Sequence, residues 1–215
     1  MNGGEPDFMI GTMRKLLDGE KALIVCIGDS ITEQNRHLHG HLNYVGMLDE
    51  KLTGKYPHRV FVFNTGISGN TAGDVAERLE RDALRFKPDL VVVMLGMNDS
   101  TRGMDGLPAF QRNLEAIASR IAASGSEVLL MTQNPLNFDL PDNVRMRGSY
   151  PLYVDAIREI AASREIPLCD VHLAWEAHLS EFPHDRWVWM NDEIHPNEHG
   201  HRFMARVLLD YLSHA

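Results

Sequence analysis

At 215 residues the chain has the length of one ordinary domain and can bury a single sizeable core without disulfide or metal staples. With 44% hydrophobic and 24% charged residues it falls outside the disordered, collagen-like and coiled-coil classes. A formal net charge of −9 with no basic run argues against nucleic-acid and anionic-membrane surfaces, which need clustered Lys and Arg, and favours a small neutral or cationic molecule as partner.

The opening stretch, Met1 to Lys21, has no apolar core behind a basic start, and no later segment reaches the apolar length of a membrane span. Cytoplasmic residence is the expectation. The first strand-length apolar run is Ala22–Ile27 and the second Val60–Asn64. Val75, Leu79, Ala83 and Phe86 then recur on one helical face until Pro88, which ends the helix before a third run, Leu90–Leu95. Leu114, Ile117 and Ile121 mark another helix, closed by Gly125, and Val128–Thr132 is the fourth strand. Pro135–Gly148, with its Pro, Asn and Asp residues, reads as a long loop near the site, and Pro167–Val171 as a weaker fifth strand. This alternation predicts an α/β fold with five mainly parallel strands in flavodoxin-like order, spanning 1–215 as a single domain because no repeat or linker interrupts it. Cys26 and Cys169 lie in different apolar runs and are expected to be reduced core residues, with no disulfide and no thiol chemistry.

In open parallel sheets ligands bind beyond the C-terminal strand ends, so the polar residues following each run deserve inspection first. After strand one comes Gly28-Asp29-Ser30-Ile31-Thr32, and after strand two Asn64-Thr65-Gly66-Ile67-Ser68-Gly69-Asn70-Thr71. After strand three comes Gly96-Met97-Asn98-Asp99, and near the end of the chain Asp192-Glu193-Ile194-His195-Pro196. A hydroxyl nucleophile needs a base, and the base needs a partner that fixes its tautomer. Ser30, His195 and Asp192 supply that set, the Asp-x-x-His spacing letting the carboxylate reach the ring Nδ1 while Nε2 faces the serine. Acyl transfer also develops an oxyanion, for which the Ser30 N–H, the Gly69 N–H and the Asn98 side-chain amide are candidate donors.

These four segments, in this order and spanning most of the chain, resemble the four sequence blocks of the SGNH (GDSL) hydrolase superfamily, with Ser30, Gly69, Asn98 and His195 matching its four name residues. The resemblance implies a three-layer α/β/α fold, a Ser–His–Asp triad without metal or other cofactor, and an oxyanion hole from the Ser, Gly and Asn blocks. The G-x-S-x-G elbow of the α/β-hydrolases is absent. The G-D-S-I-T-E-Q-N start and the D-E-I-H-P-N-E-H-G-H close look most similar to a bacterial branch that includes intracellular carbohydrate acetylesterases. The expected activity is therefore hydrolysis of short-chain, chiefly acetyl, esters of sugars or oligosaccharides. A lipid esterase or acyl thioesterase on the same fold is the alternative, and family resemblance makes a homo-oligomer plausible.

Simpler readings compete at several positions. Ser30 alone would pass for a helix N-cap, Gly66 for a tight-turn residue, and Asp29 and Asp99 for loop supports that accept backbone amides. His37, His39 and His41, or His195, His199 and His201, have spacings that could hold a metal, which keeps a metal-dependent hydrolase alive as a third reading; solvated histidines are the simpler expectation. A catalytically inert binding domain on the same fold is a fourth. Trp187 and Trp189 either line the acyl pocket or pack internally, and Met94 and Met97 read as core and pocket filler.

Overall fold

The computed structural model of the protein describes residues 10–33, 38–139 and 145–214. Five strands form one parallel sheet: β1 (Ala22–Gly28), β2 (Val60–Asn64), β3 (Leu90–Met94), β4 (Glu127–Met131) and β5 (Leu168–Cys169), in the spatial order β2-β1-β3-β4-β5. The register pairs Cys26 with Asn64 and Val92, and Val92 with Leu129, so the C-terminal strand ends lie along a common edge. The order reverses direction between β1 and β3, which opens a crevice at the ends of those two strands.

The strands read as unbroken apolar runs because both sheet faces are covered. Ile24, Cys26, Leu90, Val92, Met94, Leu129 and Met131 face one core, which is closed by α1 (Gly11–Leu17), α2 (Tyr44–Lys55), α6 (Val171–Glu181) and α8 (Glu198–His214). Val25, Ile27, Val91, Val93, Val128 and Leu130 face the other, closed by α3 (Ala72–Asp82), α4 (Gly103–Ala123) and α5 (Tyr150–Ser163). A four-residue helix, α7 (Asp185–Val188), precedes the segment that carries Asp192 and His195. The result is a parallel sheet in the order expected from the strand–helix alternation, in the three-layer α/β/α arrangement that the resemblance implies. Among the described residues no helix is long and apolar enough to cross a membrane.

Three boundaries differ from the sequence reading. The third helix ends at Asp82, and Phe86 lies in a separate 3₁₀ turn, Leu84–Phe86, where its ring meets Phe63 edge-on at 5.3 Å. The break falls at Ala83, whose φ of −133° leaves the helical region, so Phe86 never joins the Val75–Leu79 face. The fifth strand is only two residues long because Asp170 caps α6, its carboxylate accepting from the Leu173 N–H, and the chain turns helical at Val171. Within Pro135–Gly148, Leu136 and Asn137 are buried and Arg145–Arg147 forms a 3₁₀ turn; residues 140–144 lie outside the described residues. Gly125 closes α4 as expected, with a φ of +86°. Cys26 and Cys169 are free, fully buried thiols whose burial pushes both up to about 12.

Candidate active site

β1 delivers Ser30 to the sheet edge through a short turn in which Asp29, fully buried, accepts the Ile31 N–H at 3.0 Å. Ser30 is itself nearly buried, and its Oγ lies 3.0 Å from His195 Nε2. The other ring nitrogen, Nδ1, is 2.8 Å from Asp192 Oδ2 and 3.1 Å from Oδ1. Asp192 Oδ1 also accepts the backbone N–H groups of Ile194 at 2.8 Å and His195 at 2.6 Å. Burial alone would raise the Asp192 carboxyl, but hydrogen bonds from the His195 ring and from those two amides outweigh it and hold the group at about 2. The carboxylate is thus ionised and fixed, and it orients the ring with Nδ1–H toward itself.

The loop after β2 brings Gly69 to the same edge. Gly69 has a φ of +79° and nothing within 4 Å of where a Cβ would stand, so the turn conformation requires glycine and the space above it is open. Among the described residues its N–H donates to no protein acceptor. Gly66 has a different reason to be glycine: a Cβ there would fall 2.3 Å from the Glu33 N atom, so it permits the close approach of two backbones rather than a tight turn. From the end of β3, Asn98 Nδ2 donates to Asn70 O at 3.0 Å and makes only a long 3.4 Å approach to Asp29 Oδ2. The geometry therefore gathers Ser30, Gly69, Asn98, Asp192 and His195 at one crevice.

Two buried carboxylates brace this edge. Asp29 Oδ2 accepts from Gln133 Nε2 at 2.9 Å, while Gln133 Oε1 accepts the Met97 N–H at 2.8 Å, linking the ends of β1, β3 and β4. Asp99 accepts the Ala72 N–H at the start of α3, tying the β3 loop to the Gly69 loop. Burial raises both carboxyls to about 6, against the lowering effect of those amides. Arg78, only 8% exposed, reaches in from α3 and donates to Gly28 O at 3.0 Å, Thr65 O at 2.7 Å and Asn70 Oδ1 at 2.6 Å. It clamps the backbone on either side of the crevice. Asn134 completes the frame, donating to Ile194 O at 3.0 Å and so holding the Asp192–His195 segment against β4.

Sequence reading missed Gln133, Asn134 and Arg78. The first two stand at the C-terminal end of β4, where a polar residue at a strand end is itself the signal. Arg78 carries no such signal: on a helix with Asp82 four residues on, it reads as a surface ion pair.

The histidine clusters disperse. His37 lies outside the described residues, and His39 and His41 are exposed. His199 is also exposed, whereas His201 is buried, pushed down to about 3 by desolvation, with Nδ1 accepting the Tyr44 N–H at 3.3 Å. No group of three or more His, Cys, Asp or Glu side chains among the described residues is arranged to hold a metal ion. Trp189 stacks on His178 at 4.2 Å and packs against Trp175 and Phe203, so it belongs to an aromatic cluster, while Trp187 is half exposed. The Trp189 carbonyl accepts the Asn197 N–H at 2.9 Å, closing the base of the loop that carries Asp192 and His195.

Residues 26–203 match the GDSL-like Lipase/Acylhydrolase family model. An acetylxylan esterase of Geobacillus stearothermophilus is 30% identical over 213 residues, covering 91% of this chain and 94% of that protein. Esterase TesA of Pseudomonas aeruginosa is 34% identical over 139 residues, covering 64% of this chain and 62% of TesA. The crystal structure of Axe2, an acetylxylan esterase from Geobacillus stearothermophilus, superposes with a TM-score of 0.74 at 26% identity, over 90% of this chain and 95% of that one. Solved catalytic mutants of Axe2 carry alanine in place of a serine, an aspartate or a histidine.

Proposed function

Since this chain belongs to the GDSL-like lipase/acylhydrolase family and is a carboxylic ester hydrolase, we propose that it removes acetyl groups from acetylated sugars through an acyl-enzyme on Ser30. The observation that carries this reading is the continuous relay from Asp192 Oδ2 to His195 Nδ1 at 2.8 Å and from His195 Nε2 to Ser30 Oγ at 3.0 Å.

In this mechanism His195 Nε2 accepts the Ser30 hydroxyl proton as Oγ attacks the ester carbonyl carbon. Asp192, ionised, stabilises the imidazolium that forms. The carbonyl oxygen gains negative charge and is met by the Ser30 N–H, the open Gly69 N–H and the Asn98 amide. Asn98 has one N–H committed to Asn70 O and the other only loosely engaged with Asp29, so the second can turn to the oxyanion. Collapse expels the sugar hydroxyl with the proton from His195, and water repeats the cycle to release acetate. The acetyl-sugar assignment is supported by the similarity to acetylxylan esterases along nearly the whole chain. A lipid esterase or acyl thioesterase is the second reading, supported by 29% identity over 156 residues to the Escherichia coli protein named thioesterase 1/protease 1/lysophospholipase L1.

Hydrolysis of 4-nitrophenyl esters from acetate to octanoate, with and without EDTA, tests both levels. Ser30→Ala should lower turnover by about six orders of magnitude with EDTA without effect on the wild type. Beyond propionyl the wild-type rate should fall by about tenfold or more. A flat profile to octanoyl would overturn the acetyl assignment, and a variant that keeps activity but loses it to EDTA would overturn the serine mechanism.

A further inference from the structure

Away from the Ser30–His195 crevice lies a cavity of about 440 Å³ between α5, α6 and the segment that follows β4. Phe138, Asp155, Arg158, His172, Glu176 and Arg186 are among its walls. His172 is 7% exposed, and its Nδ1 is buried without a hydrogen-bond partner, standing 3.4 Å from Glu176 Oε2 in an ion-pair but not a hydrogen-bond geometry. An unmet buried acceptor or donor is costly and rare in native proteins, which makes this imidazole a mark of a site rather than of filler.

The charges define what the cavity accepts. Arg158 is held by Asp170 at 2.7 Å and Asp155 at 2.8 Å, and Arg186 by Asp139 at 2.9 Å. Both guanidiniums are thus paired with carboxylates, so among the described residues of the wall an anion finds no unpaired guanidinium. What remains is a mixed set of donors and acceptors, with Glu176 57% exposed, beside the ring of Phe138, itself 56% exposed. Polar groups of both kinds next to an open aromatic face suit a neutral ligand that presents hydroxyls along its edge and C–H groups on its face.

The wall of the cavity is also the support of the catalytic loop. Pro135 and Leu136 face the cavity, while their neighbours Asn134 and Asn137 bond the other way, Asn134 to Ile194 O and the Asn137 N–H to Glu193 O at 3.0 Å. A ligand in the cavity would therefore rest on the reverse side of the segment that positions His195.

We propose that this cavity is an accessory saccharide-binding site, which takes an uncharged, hydroxyl-rich sugar chain at a place distinct from the ester-cleaving crevice. The proposal rests on the acetyl-sugar reading above for its choice of sugar. Unacetylated xylotriose, which has no ester to cleave, is titrated calorimetrically into Ser30→Ala protein and into the same protein carrying Phe138→Ala or Glu176→Gln. Xylotriose should bind Ser30→Ala, and each rim substitution should weaken binding about tenfold. With Ser30 intact, both rim variants should hydrolyse 4-nitrophenyl acetate within about twofold of wild type, since both positions are surface sites away from the crevice. No xylotriose binding, or binding that both rim variants leave unchanged, would overturn the accessory site. Neither result would touch the serine mechanism, whose failure shows instead as 4-nitrophenyl acetate hydrolysis surviving Ser30→Ala.

Discussion

At the N-terminal end of the sheet, Glu127 accepts the N–H groups of Gly11 and Thr12 at the start of α1, and Asp89 accepts the Leu23 N–H while pairing with Lys15 at 2.7 Å. At the C-terminal end, Asp29 and Asp99 also accept backbone amides, but in the interior, and among the described residues neither forms an ion pair. The same hydrogen-bond pattern thus serves two ends. Near the surface it fastens elements together at little electrostatic cost. In the interior burial pushes both carboxyls up to about 6, so that charge is kept there against desolvation. The difference teaches where each end is sensitive: damage at the N-terminal end should appear in stability, and damage at the C-terminal end in rate.

The sharpest way to break that contrast is Asn98→Ala, which should lower kcat by about 10²–10³ with little change in KM or melting temperature. An unchanged kcat would remove Asn98 from the oxyanion role. Arg78→Ala should act on both, because it leaves the Thr65 carbonyl without its donor and removes one of two donors from Gly28 O and from Asp82 Oδ2. Urea unfolding should report a loss of about 1–3 kcal/mol, and kinetics a reduced kcat at unchanged KM. Stability loss alone would make Arg78 purely structural.

Asp29 sharpens the comparison through pH. Its folded-state pKa is raised, so the native state binds a proton that the unfolded chain releases near 3.8. The stabilisation this gives is full below that value and is lost as pH rises through about 6, a difference of up to about 3 kcal/mol. Asp192, held at about 2, acts in the opposite sense, contributing above 3.8 and losing its contribution as pH falls toward 2. The urea midpoint of wild type should therefore fall relative to that of Asp29→Asn as pH rises from 4 to about 6 and level off above it; a constant difference would show that Asp29 does not titrate there. The smallest effect is expected at the opposite edge, where Glu127→Gln should cost about 1 kcal/mol in stability and leave kcat unchanged.

Much of this arrangement was legible in the sequence, for a definite reason. Strands buried on both faces are unbroken apolar runs, and the segments carrying Ser30, Gly69 and Asn98 each follow such a run, while the Asp-x-x-His spacing marks the pair that reaches Ser30 from 165 positions away. Boundaries were less legible where a local cap overrode apolar pattern, as at Asp170, or where a single residue left the helical region, as at Ala83. Arg78 was hidden because charge on a helix signals solvent, and only the tertiary structure turns that side chain toward two loop carbonyls. The Nδ1 of His172 was hidden likewise, since a nitrogen buried without a hydrogen bond is a property of packing alone.

The aromatic cluster beneath the candidate catalytic loop has an optical consequence. Trp189 lies 4.2 Å from the His178 ring, and its backbone anchors one end of the segment that carries Asp192 and His195. Indole emission depends on the side chains in contact with the ring and on local polarity, so displacement of that segment changes the brightness and colour of Trp189. Half-exposed Trp187 adds a red-shifted background that iodide can quench selectively. The protein therefore carries an intrinsic fluorophore at the foot of its candidate catalytic loop, able to register loop displacement in real time without a label.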